Sequence, residues 1–271
     1  MNLDPIQRND SAVGRLEGRV VIVTGGCGDI GKATALGLCR EGARVVLLDL
    51  PSTAVVAAEL KKKVGSGQLS YFSADVTNRT SLEAAFGNIR QQHKRLDVVI
   101  ANAGMVANQP FLEISLENWK ATLDLNLTGA FHTAQIAARI MAKQNPVEGV
   151  RGKILFTGSW VQDMPWPEGT AYIVSKSGVK MLAKTMAQEL ASLGIRVNVL
   201  APGIVMAGLS KRIYEADPTF RERVGQAIPL GEMQTAESVA ASFVFLCSSG
   251  SDYMTGAVLL VDGGTSLVRR D

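Results

Sequence analysis

The sequence predicts an α/β protein, a single doubly wound parallel sheet with helices on both faces. Six short runs of β-branched and apolar residues recur along the 271 residues, and longer stretches with helical periodicity lie between them. Such runs are typical of strands buried on both faces, and strands that alternate with helices indicate a parallel sheet. We find no linker or internal repeat in the sequence, so we predict one domain.

The predicted strands are spaced widely enough for helices to lie between them. They are VVIV at 20–23, VVLL at 45–48, VVI at 98–100, ILF at 154–156, VNVL at 197–200 and AVLLV at 257–261. The clearest helical stretches are KATALGLCREG after the first strand, SLEAAFGNIRQQHK before the third and AYIVSKSGVKMLAKTMAQELASLG before the fifth.

Two segments fall outside this alternation. Residues 1–18 are polar and lack the continuous apolar stretch of a signal peptide. We predict that they form a flexible or loosely docked tail before a domain at 19–271. Residues 204–228 form an irregular stretch of charged and apolar residues that is longer than a plain connection, and we interpret them as a lid.

Composition argues against several partners. The 28 basic and 25 acidic residues are dispersed and give a formal net charge of +3, which leaves no basic patch for a nucleic acid. No apolar run approaches the roughly 18 residues of a membrane helix. Three cysteines and two histidines lack metal-ligand spacing, so we expect no metal site. Reduced cysteines suit the cytoplasm, where we expect the protein to be.

The first predicted strand runs into a glycine-rich segment, TGGCGDIG at 24–31. Its glycines, Gly25, Gly26, Gly28 and Gly31, come directly after the strand and open a helix, which is the setting of a dinucleotide fingerprint. A tight turn there aims backbone N–H groups and the helix N-terminus at a pyrophosphate. The alternative is an ordinary glycine-rich turn. The flanking strand and helix favour a Rossmann fold that binds a dinucleotide.

Asp29 stands in that loop where close approach to an anion favours glycine. A carboxylate at a helix N-terminus can cap backbone N–H groups and interacts favourably with the helix dipole. We therefore interpret Asp29 as a cap of its own helix, turned away from the pyrophosphate.

Asp49 ends the second predicted strand. An acid at this place accepts hydrogen bonds from the adenosine ribose and repels the 2′-phosphate of NADP. The glycine-rich loop contains no Lys or Arg, and the three residues after Asp49 are uncharged. We therefore predict that the cofactor is NAD. The alternative is that Asp49 is only a turn residue at a strand end.

Four side chains form a candidate catalytic set. Tyr172 and Lys176 are four residues apart in a predicted helix and so emerge on one face. Ser159 follows the strand ILF, and Asn126 lies upstream in LDLNLTGAF. Singly, Ser159 suits a strand-end turn, Asn126 a helix bend and Lys176 a solvated surface. Their joint occurrence at these spacings favours catalysis.

These motifs together resemble the short-chain dehydrogenase/reductase family. They occur in that family's order and cover the chain from about residue 19 to its end. The motifs are TGGCGDIG, ADVTN at 74–78, ANAG at 101–104, Asn126, Ser159, the Tyr172/Lys176 pair, APG at 201–203 and VDGG at 261–264.

The resemblance implies an enzyme that moves a hydride between an alcohol carbon and NAD. It implies that Tyr172 is the general acid/base and that Ser159 orients the substrate oxygen. Lys176 would bind the nicotinamide ribose and lower the pKa of Tyr172, and Asn126 would hold a water for proton relay. The residues implied around the cofactor are Gly25, Gly28, Asp29, Ile30, Gly31, Asp49, Asp75, Val76, Asn102, Ala103, Gly104, Tyr172, Lys176, Pro202, Gly203 and Val205.

The resemblance also implies a homotetramer. Several apolar residues of the Tyr172 helix offer surface for such an assembly, and packing against the sheet within one subunit is the alternative. These residues are Val174, Val179, Met181, Leu182 and Met186.

A lysine beside a tyrosine can lower the pKa of the phenol. A free phenol titrates near pH 10 and is a poor base at neutral pH. A positive charge at roughly 4 Å, with an effective dielectric of about 20, stabilises the phenolate by on the order of 4 kcal/mol, nearly three pKa units before desolvation. Lys176 and an oxidised nicotinamide can both supply this charge.

Two positions depart from the family's pattern. Ala101 replaces the first asparagine of its NNAG motif. Ala207 stands where a threonine commonly follows the Pro-Gly segment and meets the carboxamide. We expect backbone groups or Ser210 to make that contact instead.

The substrate is less closely defined. The segment WVQDMPWPEGTA at 160–171 brings two tryptophans and two acids to the cleft, which suits a polyhydroxylated substrate, whereas packing within the loop is the alternative. Three functions stay open: a sugar or polyol dehydrogenase, a ketoreductase acting on acyl or steroid-like carbonyls, and a catalytically inactive NAD-binding regulator. The intact catalytic set argues against the third. Basic residues of the lid that suit an anionic substrate are Lys211, Arg212, Arg221 and Arg223, offset by Glu215, Asp217 and Glu222.

Overall fold

Seven parallel strands form one sheet in the computed structural model, which describes residues 14–267. The order across the sheet is β3-β2-β1-β4-β5-β6-β7. The predicted class, a single doubly wound parallel sheet, is confirmed. The strands are β1 Val20–Thr24, β2 Arg44–Asp49, β3 Leu69–Ser73, β4 Val98–Ala101, β5 Gly152–Thr157, β6 Ile195–Pro202 and β7 Val258–Val261.

Helices cover both faces of the sheet. A π-helical turn, Asp124–Thr128, joins α4 to α5. Within residues 14–267, no helix has the length and apolar character needed to cross a membrane. The α-helices are α1 Asp29–Arg40, α2 Ala54–Lys61, α3 Arg79–His93, α4 Leu116–Leu123, α5 Gly129–Met141, α6 Thr170–Leu190, α7 Gly208–Ala216, α8 Pro218–Ala227 and α9 Ala236–Cys247.

The alternation of side chains along β1 explains the two helical layers. Val21 and Val23 belong to a core shared with α1, α2 and α9, whereas Val20 and Ile22 belong to a core shared with α3, α5 and α6. Successive side chains of a strand lie on opposite faces of the sheet. A wholly apolar strand therefore needs cover on both faces, which the helices supply.

β3 is the strand that the sequence pattern does not predict. In the described sheet it lies at one edge and pairs with β2. Its sequence LSYFS alternates apolar and polar residues, and only Leu69 is fully buried. A strand at an edge is only partly covered, so it does not need a continuous apolar run.

Residues 204–228, here called the lid segment, hold two helices, α7 and α8. The sequence suggested an irregular stretch instead, because helices of nine and ten residues are too short for a clear periodicity. Val224, Ile228 and Met233 form a small cluster with neighbouring apolar side chains, separate from the two large cores. The lid segment thus has a core of its own.

The described part of the predicted tail is docked rather than loose. Leu16 is buried, and its N–H donates to Glu41 O at 2.8 Å. Arg15 forms an ion pair with Glu41 at 2.6 Å. These contacts hold residues 14–18 against the C-terminal end of α1, while residues 1–13 of that prediction lie outside the described residues.

The order of the strands locates the functional edge of the sheet. β2 and β3 lie on one side of β1, and β4 to β7 continue on the other. All strands are parallel, so their carboxyl ends share one edge. In open sheets of this kind, ligands bind outside the carboxyl ends of the strands, at the point where the strand order reverses, which here lies at β1 and β4.

Candidate active site

A side-chain network ties together the carboxyl ends of β1, β4 and β5. Thr24 Oγ1 accepts the N–H groups of Asn102 and Ala103 at 3.0 and 3.1 Å. The Asn102 amide donates to the Thr24 and Gly25 carbonyls at 3.1 and 3.2 Å. It also accepts the Thr157 hydroxyl at 3.1 Å. Motif analysis assigned no role to Thr24 or Thr157, although Thr24 is the first residue of TGGCGDIG.

Close packing requires two glycines of the phosphate-binding loop, residues 24–31. Gly25 has φ +60°, and a Cβ there would lie 2.8 Å from Ala103 Cα. A Cβ on Gly31 would lie 2.2 Å from Gly25 O. The first N–H groups of a helix have no intrahelical acceptor. No side chain caps the N-terminus of α1, so its first N–H groups are available to a bound phosphate.

The prediction that Asp29 caps its own helix is wrong. The N-cap of α1 is Gly28, and no side chain accepts a hydrogen bond there. Asp29 Oδ2 instead accepts the N–H of Gly208, the first residue of α7, at 2.9 Å. Asp29 Oδ1 pairs with Lys32 Nζ at 2.9 Å. The Gly208 hydrogen bond, followed by the Lys32 contact, holds the pKa of Asp29 below its ordinary value.

Asp49 borders the same loop from the end of β2. Its Oδ2 accepts the N–H of Cys27 at 2.8 Å, and its Oδ1 accepts the N–H of Leu50 at 2.8 Å. Each carboxylate oxygen can accept a second hydrogen bond. The carboxylate is therefore held in place by backbone donors and keeps acceptor capacity for a ribose.

The two residues predicted beside an adenine differ in exposure. Asp75 is half-buried, and its Oδ1 accepts the N–H and the hydroxyl of Thr77 at 2.9 and 2.8 Å. Val76 is buried in the core, where a Cβ on Gly129 would lie 2.8 Å from Val76 Cγ2. The side chain of Val76 therefore packs in the core, so only the backbone of Val76 is available to contact an adenine.

A π-helical turn positions Asn126. Such turns are frequent at functional sites, and Asn126 lies at the centre of this one, 1% exposed. Asn126 Nδ2 donates to Met105 O at 2.9 Å and to Ser175 Oγ at 3.1 Å, while Oδ1 accepts the Met105 N–H at 2.8 Å. Both N–H groups of the Asn126 side chain already donate hydrogen bonds, so a relay water can bind this side chain only by donating a hydrogen bond to Oδ1.

Ser159, Tyr172 and Lys176 meet at the carboxyl end of β5. Ser159 forms a hydrogen bond with Tyr172. Lys176 Nζ donates to Thr157 O at 2.7 Å and lies 5.7 Å from the centroid of the Tyr172 ring. A Cβ on Gly104 would lie 3.5 Å from Lys176 Nζ, so this predicted cleft residue is adjacent to the lysine.

Burial changes the acidity of both titratable groups. It lowers the pKa of Lys176 to about 8. It also raises the pKa of Tyr172 above its ordinary value, against the smaller and opposite effect of the Ser159 hydrogen bond. The net shift in the protein alone is therefore upward, and Lys176 is not among its causes, so the expected lowering by Lys176 stays a prediction for the complex with cofactor. The ammonium is directed at Thr157 O, and desolvation disfavours charge on both side chains.

The loop after β6 brings the last predicted cofactor residues to this edge. Pro202 ends β6, and the Gly203 N–H donates to Val261 O at 2.9 Å. A Cβ on Gly203 would lie 2.7 Å from Asp262 Cα, so the chain passes too close for a side chain. Val205 is buried in the core that contains α1 and α9.

The tryptophans and one acid of residues 160–171 are engaged in local structure. Trp160 and Trp166 pack edge to face with ring centroids 5.2 Å apart. Asp163 forms an ion pair with Lys180 of α6. Packing within the loop, the alternative to sugar binding, thus accounts for the two tryptophans, and an ion pair with α6 accounts for Asp163.

The assembled groups support one kind of chemistry. A loop shaped for a pyrophosphate lies beside a tyrosine that shares a hydrogen bond with a serine and has a buried lysine next to it. Such groups bind a dinucleotide and transfer a proton at a substrate oxygen. The fold and the site therefore define a nicotinamide-dependent oxidoreductase.

Comparisons with known proteins give the family. The family model described as enoyl-(acyl carrier protein) reductase matches residues 27–266. The chain is 34% identical to the 3-oxoacyl-(acyl-carrier-protein) reductase FabG of Thermotoga maritima, over 92% of this chain and 98% of that one. It is 35% identical to the L-rhamnose-1-dehydrogenase of Scheffersomyces stipitis, over 93% and 97% respectively. The crystal structure of gox2181 matches with a TM-score of 0.86 and 31% identity, over 94% and 98%. The chain belongs to the short-chain dehydrogenase/reductase family.

The buried amine predicts how stability depends on pH. The pKa of Lys176 is 10.5 in the unfolded chain and about 8 in the folded protein. Between these values the unfolded state binds more protons, so stability rises with pH. The gain is complete above the unfolded pKa and is lost as the pH falls through about 8.

We expect the unfolding free energy of the wild type to rise relative to that of Lys176→Met between about pH 8 and pH 9.5, with a slope of up to about 1.4 kcal/mol per pH unit. Losing the hydrogen bond to Thr157 O lowers the variant's stability by a constant, which does not affect this slope. Urea denaturation at several pH values measures it. Parallel curves for the two proteins would contradict a buried, titrating Lys176.

Proposed function

We propose that this protein is an NAD-dependent dehydrogenase that oxidises a CH–OH group of a small sugar or polyol. The observation that carries the proposal is the meeting of Ser159, Tyr172 and Lys176 beside a loop shaped for a pyrophosphate. Similarity to an L-rhamnose-1-dehydrogenase supports a sugar substrate.

The residues present fit a dinucleotide. A Cβ on Gly25 would meet the backbone of Ala103, and one on Gly31 would meet the backbone of Gly25 and Gly26, so glycine at both positions lets the loop pack tightly where phosphate groups would bind. Asp49 would accept the adenosine ribose hydroxyls, and its negative charge would repel the 2′-phosphate of NADP. Residues 102–104 would line the cleft, and residues 202–205 would border the nicotinamide.

The protein's own part in the reaction is to bind, orient and move a proton. When bound, the nicotinamide ring accepts the hydride that leaves the alcohol carbon. Ser159 would orient the substrate oxygen, and Tyr172 Oη would take its proton. Lys176, held by Thr157 O, would bind the nicotinamide ribose and place positive charge near the phenol. A water that donates to Asn126 would carry the proton onward.

A ketoreductase is the second candidate. Similarity to FabG favours it, because the same groups can return a proton to a carbonyl oxygen as hydride is delivered. A catalytically inactive regulator has less support, since it needs no buried lysine next to a serine-bound tyrosine.

A substrate panel separates these functions. Sugars and polyols are offered with NAD, and β-ketoacyl thioesters with NADH and NADPH, while nicotinamide absorbance is followed. Turnover of a sugar or polyol with NAD supports the proposal. Turnover confined to the thioesters supports the ketoreductase, and inactivity on both arms with intact NAD binding supports the regulator.

We also propose that the protein forms a homotetramer. Val174 and Met181 of α6 are 43% and 59% exposed, and Phe131 of α5 is 37% exposed. The other three apolar residues considered on α6 pack against the subunit's own core. Exposed apolar side chains on two adjacent helices suit an interface between copies.

The cytoplasm is the location we propose for this enzyme. All three cysteines are buried and unpaired. Free thiols are usual in a reducing compartment.

Replacing Tyr172 by phenylalanine should lower kcat at least 100-fold, because the phenylalanine variant has no hydroxyl to take or return the proton. The NAD Kd should change less than twofold, since the phenol acts on the substrate oxygen. The matched control is Tyr253→Phe, which removes an exposed phenol and should keep full activity. A Tyr172→Phe enzyme with more than a few per cent of wild-type kcat would show that another group is the acid/base.

NAD should bind at least tenfold tighter than NADP, a difference of about 1.4 kcal/mol. Asp49→Ala should narrow this ratio, because the variant lacks the carboxylate that repels the 2′-phosphate. Glu189→Gln, which changes an exposed acid near the C-terminal end of α6, is the control and should leave the ratio unchanged. Fluorescence titration with both cofactors gives the values, and equal affinities in the wild type would refute the role given to Asp49.

Light scattering should give a mass about four times 28.8 kDa at micromolar concentration. Met181→Glu should shift the distribution to smaller species, because it buries a charge in the proposed interface. Lys184→Glu is a control on an exposed position of the same helix. A wild-type monomer would end this proposal.

A further inference from the structure

One side chain joins the lid segment to the phosphate-binding loop. Asp29 Oδ2 accepts the N–H of Gly208 at 2.9 Å, across 179 positions of sequence. Gly208 has φ +52°, a left-handed conformation that glycine adopts without strain. The contact therefore depends on the residue type at both ends.

The charges around Asp29 favour this contact. Lys32 of α1 forms an ion pair with Oδ1, and Lys211 of α7 also interacts electrostatically with the carboxylate. Both lysines favour the ionised form. An ionised carboxylate accepts a charge-assisted hydrogen bond, which is stronger than a neutral one.

The two ends of the contact lie beside different parts of the proposed cofactor site. Asp29 belongs to the first turn of α1, where phosphate groups would bind. Gly208 follows residues 202–205, which would border the nicotinamide. The hydrogen bond thus connects the pyrophosphate side of the cleft to its nicotinamide side.

The lid segment is suited to move as a unit. Val224 and Ile228 pack with Met233, which follows the segment, in a small cluster separate from the two large cores, whereas Val205 at the start of the segment is buried in the core that contains α1 and α9. Segments with few contacts to the main cores open at low free-energy cost, and such motions often limit product release. A contact at the first residue of α7 therefore controls an element that has its own core.

We propose that Asp29 is a positioning residue that holds the lid segment against the phosphate-binding loop and thereby slows the release of bound dinucleotide. The effect on release rests on the proposed NAD-binding function. The contact itself does not depend on that function.

Three variants separate the hydrogen bond from the charge of Asp29. Asp29→Asn keeps an acceptor oxygen and removes the charge, whereas Asp29→Ala removes both. Lys32→Met removes the ion pair and leaves the acceptor for Gly208. Circular dichroism and thermal unfolding first establish that each variant is folded.

NADH dissociation is then measured by stopped-flow fluorescence at high salt. Salt screens the repulsion between the Asp29 carboxylate and the phosphate groups, so removing the charge of Asp29 should have little effect by itself. We expect dissociation from Asp29→Ala to be at least threefold faster than from Asp29→Asn, and Lys32→Met to match the wild type. A ratio below three between the alanine and asparagine variants would overturn the proposal.

Hydrogen exchange of the cofactor-free protein gives an independent readout. Peptides covering residues 204–216 should exchange faster in Asp29→Ala than in Asp29→Asn, because the Gly208 N–H has lost its acceptor. Unchanged exchange would also overturn the proposal. Failure of the proposed function is distinct from either result, since it would appear as a wild-type protein that does not bind NADH.

Discussion

The hydrogen bond from Lys176 Nζ to Thr157 O joins the helix that carries Tyr172 to the strand that leads to Ser159. It places an amine in the interior, where desolvation lowers its pKa to about 8. A buried amine is costly unless it is hydrogen bonded, so the site is stable only while α6 and β5 keep this spacing. The same spacing brings the phenol and the serine together.

From Thr157 the connections continue toward the phosphate-binding loop. The Thr157 hydroxyl donates to Asn102, whose amide donates to the carbonyls of Thr24 and Gly25. Hydrogen bonds on both sides of Thr157 thus connect Lys176, which lies beside the proposed acid/base, to the loop that would hold the pyrophosphate. The fold contributes the common edge at which three parallel strands end, and the polar side chains fix the distances between them.

Much of this arrangement could be predicted from the sequence because its signals are local. Continuous apolar runs identify strands covered on both faces, as in β1, and glycines between a strand and a helix identify the phosphate-binding loop. The four candidate catalytic residues follow from their order and spacing. β3 escaped prediction because an edge strand needs no apolar run, and α7 and α8 because they are short.

The rest depends on contacts that no local pattern records. The partner of Asp29 lies 179 residues away, so the sequence suggested a cap of its own helix instead. The role of Thr157 as the acceptor for Lys176 follows only from the packing of α6 on β5. The net direction of the Tyr172 pKa shift did not follow from the sequence either, because the effect of burial, which raises this pKa, depends on the folded surroundings of the phenol.

Burial raises the pKa of the Tyr172 phenol in the protein alone, so the account requires added positive charge before the phenol can act as a base. The Lys176 ammonium and an oxidised nicotinamide would supply that charge together. Titration of ¹³C-labelled tyrosine by NMR, with the Tyr172 signal assigned through Tyr172→Phe, tests this claim most directly. The account predicts a Tyr172 pKa above its ordinary value in the protein alone and a lower Tyr172 pKa with saturating NAD. An unchanged pKa on NAD binding would contradict it.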